Sequence, residues 1–295
     1  MGSVFIVGPN IEVNLSGVTI KGGIGTSILV NDNDPEESIC GGGILNCGVL
    51  TLTDSNITDN AANNGGGIFN KGTLSLNNGT SVTQNVAHNG GGIFNNRRSN
   101  NIVTVNLNQG SSIENNEATG NGAGIYSGGH SVSGNIINIH HGSSISGNIA
   151  GNSGGGIWIS DEGTLNLYGG EISSNKGWTG GGIFNHGSHV NLKGGSIFNN
   201  VAMNGAGIEN GGGSVILEGA MISRNTANRD DRGLGGGVLN SGKLTLISGS
   251  IDHNIAFSKG GGILNTGEVI GDTTLVHDNT MISRTPANII DERSQ

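Results

Sequence analysis

Gly65-Gly66-Gly67-Ile68-Phe69-Asn70-Lys71-Gly72-Thr73-Leu74-Ser75-Leu76-Asn77-Asn78-Gly79-Thr80-Ser81-Val82-Thr83-Gln84-Asn85-Val86-Ala87 closes with His88-Asn89, and the series starts again as Gly90-Gly91-Gly92-Ile93-Phe94-Asn95. The same order recurs along the chain. Its β-branched residue after the glycines falls at Ile44, Ile68, Ile93, Ile125, Ile157, Ile183, Ile208, Val238 and Ile263, with spacings of 24 to 32 residues. A fixed period of this size marks a repeat architecture, in which one unit cannot bury its apolar face alone and stacks on its neighbour.

Within each period a second block alternates apolar and polar residues, as in Leu50/Leu52, Leu74/Leu76, Val105/Leu107, Ile137/Ile139, Leu165/Leu167, Val190/Leu192, Val215/Leu217 and Leu244/Leu246. Strict alternation means that one face is buried. Five or six residues later an apolar-x-x-Asn block ends at Asn60, Asn85, Asn116, Asn148, Asn175, Asn200, Asn225, Asn254 and Asn279, and two residues on stands a small residue such as Ala62, Ala87 or Ala118. No helical period intervenes. The expected fold is all-β: a single right-handed parallel β-helix over 1–295, a three-sided solenoid of about ten rungs stacked roughly 4.8 Å apart. Residues 24–40 read as an acidic loop insertion and 280–295 as a C-terminal tail or cap. The Asn column is expected to be a structural ladder that closes a corner, with the Asn itself tolerating left-handed backbone and its amide serving backbone and neighbouring rungs.

Composition narrows the function classes. With 58 Gly, 3 Pro and 12% charged residues the chain is neither collagen-like nor, given its ordered Ile, Leu and Val columns, disordered. A net charge of −9 with only 13 Lys and Arg argues against nucleic acid and against anionic membrane surfaces. No apolar run approaches the roughly 18 residues of a membrane span, so membrane insertion of this segment is not expected. Met1-Gly2-Ser3-Val4-Phe5 lacks the regions of a signal peptide. That start suggests a segment of a longer exported protein.

The paired motifs resemble the repeats of the polymorphic outer membrane proteins, a group of autotransported bacterial surface adhesins whose hallmark joins a Gly-Gly-Ala/Gly-Ile/Leu/Val tetrapeptide to a Phe-x-x-Asn tetrapeptide. Here the first element matches, and the second is mostly Ile-x-x-Asn, as in Ile57-Thr58-Asp59-Asn60. The resemblance covers nearly the whole chain, including Thr285-Pro286-Ala287-Asn288-Ile289, which is similar to the way such repeats end. It implies a cell-surface or secreted passenger region that is structural or adhesive, with protein, glycan or self-association as its partner class. The alternative is a polysaccharide-binding or polysaccharide-degrading β-helix.

A non-enzyme is expected. Hydrolytic or lyase chemistry on a β-helix needs carboxylates converging from adjacent rungs. The column after the third-block apolar residue instead reads Thr58, Thr83, Glu114, Ser146, Ser173, Phe198, Ser223, Asp252, His277, with no adjacent acids. An ice-binding Thr ladder is likewise absent from the column Thr51, Ser75, Thr104 or Asn106 by register, Asn138, Asn166, Asn191, Ile216, Thr245. Asp32-Asn33-Asp34-Pro35-Glu36-Glu37 holds oxygen ligands suited to calcium but reads more simply as a solvated tip, and the eight His, including His140-His141 and His186/His189, show no metal spacing. No metal or cofactor is expected. Cys40 and Cys47 are near enough in sequence to be bridged, and an unpaired pair of small core residues is the equal alternative.

Two binding surfaces follow from the columns. If the Ile of Gly-Gly-Gly-Ile points inward, pleating sends the next residue out. That column holds Phe69, Phe94, Tyr126, Trp158 and Phe184, five of the ten aromatic residues. Such an apolar stripe marks a contact surface, unless the parity is reversed and the rings are core. The second surface is a corner where the connection between the first two blocks lengthens in adjacent rungs, presenting Arg97, Arg98 and His130. The arginines are suited to a carboxylate or sulfate; pairing with Asp161 and Glu162 in solvent is the simpler reading.

Overall fold

The computed structural model describes residues 2–29, 37–96, 102–128, 134–160, 162–228, 232–282 and 288–292. Each Gly-Gly-Gly-Ile block becomes a three- or four-residue strand, and these strands stack in parallel from Phe5–Val7 through Ile44–Asn46 and Ile68–Asn70 to Ile263–Asn265 and Ile289–Asp291. Register is kept residue for residue: Ile68 lies opposite Ile44 and Ile93, and Phe69 opposite Leu45 and Phe94. The Leu-x-Leu and Ile-x-x-Asn blocks form a second parallel sheet, again column on column, as in Leu74 against Leu50 and Val105. From Thr164 onward the two blocks fuse into ten-residue strands (Thr164–Ser173, His189–Phe198, Ser214–Ser223, Lys243–Asp252), with register shifts around Tyr168 and Glu218 taking up the bend. Short strands such as Val86–Asn89 and Ile255–Ala256 make the third side, continued across Lys176 by parallel bridges to Ile149 and Val201. The fold is a parallel β-helix.

The interior is one apolar column set, including Ile44, Ile68, Leu74, Leu76, Val82 and their equivalents to Val276, nearly all without exposed surface. Burial of each such side chain contributes roughly 1.5–3 kcal/mol. Only at the ends is this interior half open, at Phe5, Val13, Leu15 and Val18 and at Val269, Leu275 and Ile289. The third side carries Ala118, Ala150, Ala202, Ala227 and Ala256, which form small buried clusters of their own. In the glycine run close approach is the constraint: a Cβ on Gly66 would stand 2.4 Å from the Val86 carbonyl oxygen of the following rung.

The Asn column is a continuous buried ladder. Asn60 donates through Nδ2 to Asn85 Oδ1 (3.0 Å), and the pattern runs through Asn116, Asn148, Asn175, Asn200, Asn225 and Asn254 to Asn279. The backbone expectation needs correcting. The ladder Asn is not the left-handed residue; the residue before it is, at Asp59 (φ 55°), Gln84 (56°), Asn115 (53°), Ser174 (57°), Asn199 (54°), Arg224 (53°), His253 (52°) and Asp278 (52°). The Asn fixes this bend from the next position, since its Oδ1 accepts the backbone N–H of the ladder Asn one rung earlier.

A second buried amide column follows the aromatic column by one residue. Asn46, Asn70 and Asn95 are joined Nδ2 to Oδ1, Asn95 ends on Ser127 Oγ, Ile159 breaks the series, and Asn185, Asn210, Asn240 and Asn265 resume it.

Residues 24–40 contribute an antiparallel hairpin, Thr26–Leu29 against Glu37–Cys40, set against the outside of the rod. It is joined to the third side where Cys40 pairs with Asn64, Asn64 Nδ2 donates to Ser38 Oγ (3.1 Å), and Lys71 Nζ donates to the Leu29 carbonyl (3.1 Å).

Candidate functional site

The aromatic column faces away from the interior, and in-register stacking turns it into a ladder of rings. Centroids are 5.1 Å apart for Phe69–Phe94, 4.5 Å for Phe94–Tyr126, 4.3 Å for Tyr126–Trp158 and 6.4 Å for Trp158–Phe184, with interplanar angles of 4° to 15°. Copying one backbone position at the rung spacing copies its side-chain direction, which places each ring on the next. The faces are therefore taken up along the rod, and the ring edges are what the surface offers.

Exposure along the stripe is not uniform, which corrects the expectation of a fully open surface. Phe69 is 0% and Phe94 6% exposed, whereas Tyr126, Trp158 and Phe184 are half-buried. Phe69 and Phe94 are not core residues of the coil: with Leu45 and Cys40 they form a separate cluster, against which Ile28 of the hairpin packs. Lys71 completes the cover, its ammonium 5.3 Å from the Phe69 ring centroid. The hairpin thus occupies the first part of the stripe, and half-buried Tyr126, Trp158 and Phe184 lie beyond it.

The aromatic series ends at Glu209, which follows Phe184 in the column. Burial pushes its carboxyl up to about 7, against a smaller opposing pull from a hydrogen bond with Thr179. Thr179 lies beside Asn204 in the neighbouring column, so the carboxyl leans across the glycine turn toward that row.

The corner residues Arg97, Arg98, His130 and Asp161 lie outside the described residues, as do Asp32, Asn33, Asp34 and Glu36 of the acidic insertion. Glu162 is described and takes a left-handed backbone, φ 55°. What the described part of that corner holds is a shallow depression lined by Asn10, Cys47, Gly48, Val49, Lys71, Thr73 and Ile102. Cys40 and Cys47 are both free thiols. Burial pushes Cys40 up to about 11 and also raises Cys47, in each case against a weaker pull from Lys71.

Acid and base groups stay dispersed. Among the described residues no three His, Cys, Asp or Glu come together as a metal-binding group. Asp252 collects Ser250 Oγ (2.6 Å) and His253 Nδ1 (2.8 Å). Burial pushes its pKa up, but those hydrogen bonds outweigh it and hold the carboxyl below its ordinary value. The carboxylate sits between hydroxyl and imidazole, so the imidazole is not placed to take the hydroxyl proton.

One feature was legible in the sequence only as the failure of a Thr ladder. On the outward face of the second sheet, Asn191 Nδ2 donates to Asn166 Oδ1, Asn166 to Asn138 and Asn138 to Asn106, each at 2.9 Å, and Asn106 ends on Ser75 Oγ at 3.3 Å. Four Asn in successive rungs of one outward column was the available signal. Comparison with protein-family models, with curated proteins and with solved structures yields no match, so the reading of these surfaces rests on their geometry.

Proposed function

We propose that this chain is a non-catalytic structural and adhesive rod of a cell-surface or secreted protein, which attaches through the half of its aromatic ladder beyond the hairpin to a protein partner, a glycan or a like molecule. The observation that carries this reading is the row of half-buried, stacked rings at Tyr126, Trp158 and Phe184, which continues past the hairpin that covers the start of the same row. A row of apolar edges on a rigid face supports a contact role. The dispersed carboxylates support the absence of turnover, and the resemblance of the Gly-Gly-Gly-Ile and Ile-x-x-Asn repeats to surface adhesins supports the location.

The test is attachment of the purified chain to cells and to immobilised glycans and matrix proteins, compared with a Tyr126→Ser/Trp158→Ser variant. Loss of attachment by a folded variant is expected. Unchanged attachment would remove the stripe from the reading, and release of sugar product from any glycan would replace it with an enzyme.

A further inference from the structure

The outward Asn array differs from the buried ladders in how its amides are used. An amide side chain has two N–H donors and two carbonyl lone pairs. Buried Asn116 engages all four: it donates to the Val82 carbonyl (2.9 Å) and to Asn148 Oδ1 (3.0 Å), and it accepts from the Asn85 backbone N–H and Asn85 Nδ2 (both 3.0 Å). Asn138 engages two, donating to Asn106 and accepting from Asn166. One N–H and one lone pair are left over. Asn106 and Asn166 are in the same position, all half-buried, and Asn191 keeps a carbonyl to which no rung donates.

The ladder bonds fix the orientation of these amides, so the free donor and acceptor of each recur at the rung spacing of about 4.8 Å. Fixing them before a ligand arrives lowers the ordering that binding would otherwise require. The flanking outward positions are Thr104, Ile136 and Thr164 on one side and Asn108, His140 and Tyr168 on the other. Tyr168 is 43% exposed, with His140 stacked at 5.2 Å on one side and the Lys193 ammonium 5.7 Å from its centroid on the other. Its faces are occupied, and its hydroxyl edge is free to face a ligand.

From this array we infer a binding face for a linear, uncharged polysaccharide running along the rod. Adjacent sugar hydroxyls offer a donor and an acceptor together, which is what each free amide edge complements, and a sugar unit in an extended chain advances by nearly one rung. The array carries no fixed charge of its own, which disfavours an acidic chain. A peptide strand is disfavoured because the backbone groups of this sheet are already paired between rungs. The face is separate from the aromatic ladder, so the two are tested independently.

The experiment is calorimetric titration of the chain with cellohexaose, chitohexaose and xylohexaose, the corresponding disaccharides, and hexagalacturonate as the charged control. Saturable binding of at least one neutral hexasaccharide is expected, weaker for its disaccharide and for the charged chain. Asn166→Leu should weaken it about tenfold, the effect of losing one or two hydrogen bonds. If Asn166→Leu lowers the thermal midpoint, Asn166→Ser, which keeps a small polar group like Ser75, serves in its place. Absence of binding by all three neutral hexasaccharides, preference for hexagalacturonate, or binding indifferent to Asn166 would overturn the inference.

Discussion

Asn116 and Asn148 are joined amide to amide, Nδ2 to Oδ1 at 3.0 Å, in a site with no exposed surface. Replacing Asn116 by Ala takes the acceptor from the Asn85 backbone N–H and from one Asn85 Nδ2 hydrogen, removes the amide donor to the Val82 carbonyl, and leaves Asn148 Oδ1 with only the backbone N–H of residue 116. Each unsatisfied buried group costs about 1–3 kcal/mol, so the variant should lose on the order of 3–5 kcal/mol in urea unfolding. A loss under about 1 kcal/mol would show that the ladder is dispensable.

The residue before each ladder Asn is left-handed, and in one rung it is already Gly147 (φ 65°). Non-glycine residues in this region are strained by roughly 1–2 kcal/mol. Arg224→Gly should therefore raise the free energy of unfolding in urea by up to about 1 kcal/mol, after the added freedom of the unfolded chain is subtracted. A destabilised Arg224→Gly variant would mean that the arginine side chain contributes more than its backbone strain removes.

How far the fold could be read in advance follows from these same columns. Parallel in-register stacking copies every position into the next rung, so Ile68, Leu74 and Val82 declare both period and inward face. The outward direction of Phe69 was legible by parity. Its burial was not, because an insertion carries no column of its own and nothing in Thr26–Leu29 or Glu37–Cys40 says where a hairpin will lie. The left-handed position was misplaced by one residue because Asp59, Gln84 and Arg224 share no side-chain chemistry; the conserved geometry is imposed by the Asn that follows.

Lys71 ties the hairpin to the rod through the Leu29 carbonyl and the Phe69 ring. Lys71→Ala should speed amide hydrogen exchange at Ile28 and Ile39 by about five- to tenfold, equivalent to about 1 kcal/mol of local stability, with little change in global unfolding. Unchanged exchange there would leave Ile28 packing and the pairing of Ser38 and Cys40 with Asn64 as the attachment.

Glu209 titrates near 7 in the folded chain, above its ordinary 4.5. The folded state then holds a proton that the unfolded state has released, so stability is highest below about 4.5, falls as the pH rises toward about 7, and is level beyond. Glu209→Gln should remove this slope and stabilise the chain at pH 8 by about 1–3 kcal/mol. Parallel pH profiles of wild type and variant would exclude the effect.

Cys40 should resist alkylation at pH 8 far more than half-buried Cys47, because the hairpin strand that carries it packs it against Leu45, Phe69 and Phe94, with its thiol pushed up to about 11. Lys71→Ala should speed Cys40 labelling and leave Cys47 little changed. Equal rates for the two thiols in the parent chain would argue that the hairpin does not shield Cys40.

The hydrogen bonds between rungs run along the rod, as in Ile68 N–H to the Gly92 carbonyl and Ile93 N–H to the Gly124 carbonyl. A pull on the two chain ends therefore does not load all rungs alike; it peels the terminal coil first, where Phe5, Val13 and Leu15 are already half open. Each coil freed in this way lets out a few tens of residues of slack before the next one bears the strain. A rod built so should yield in steps, coil by coil, rather than all at once.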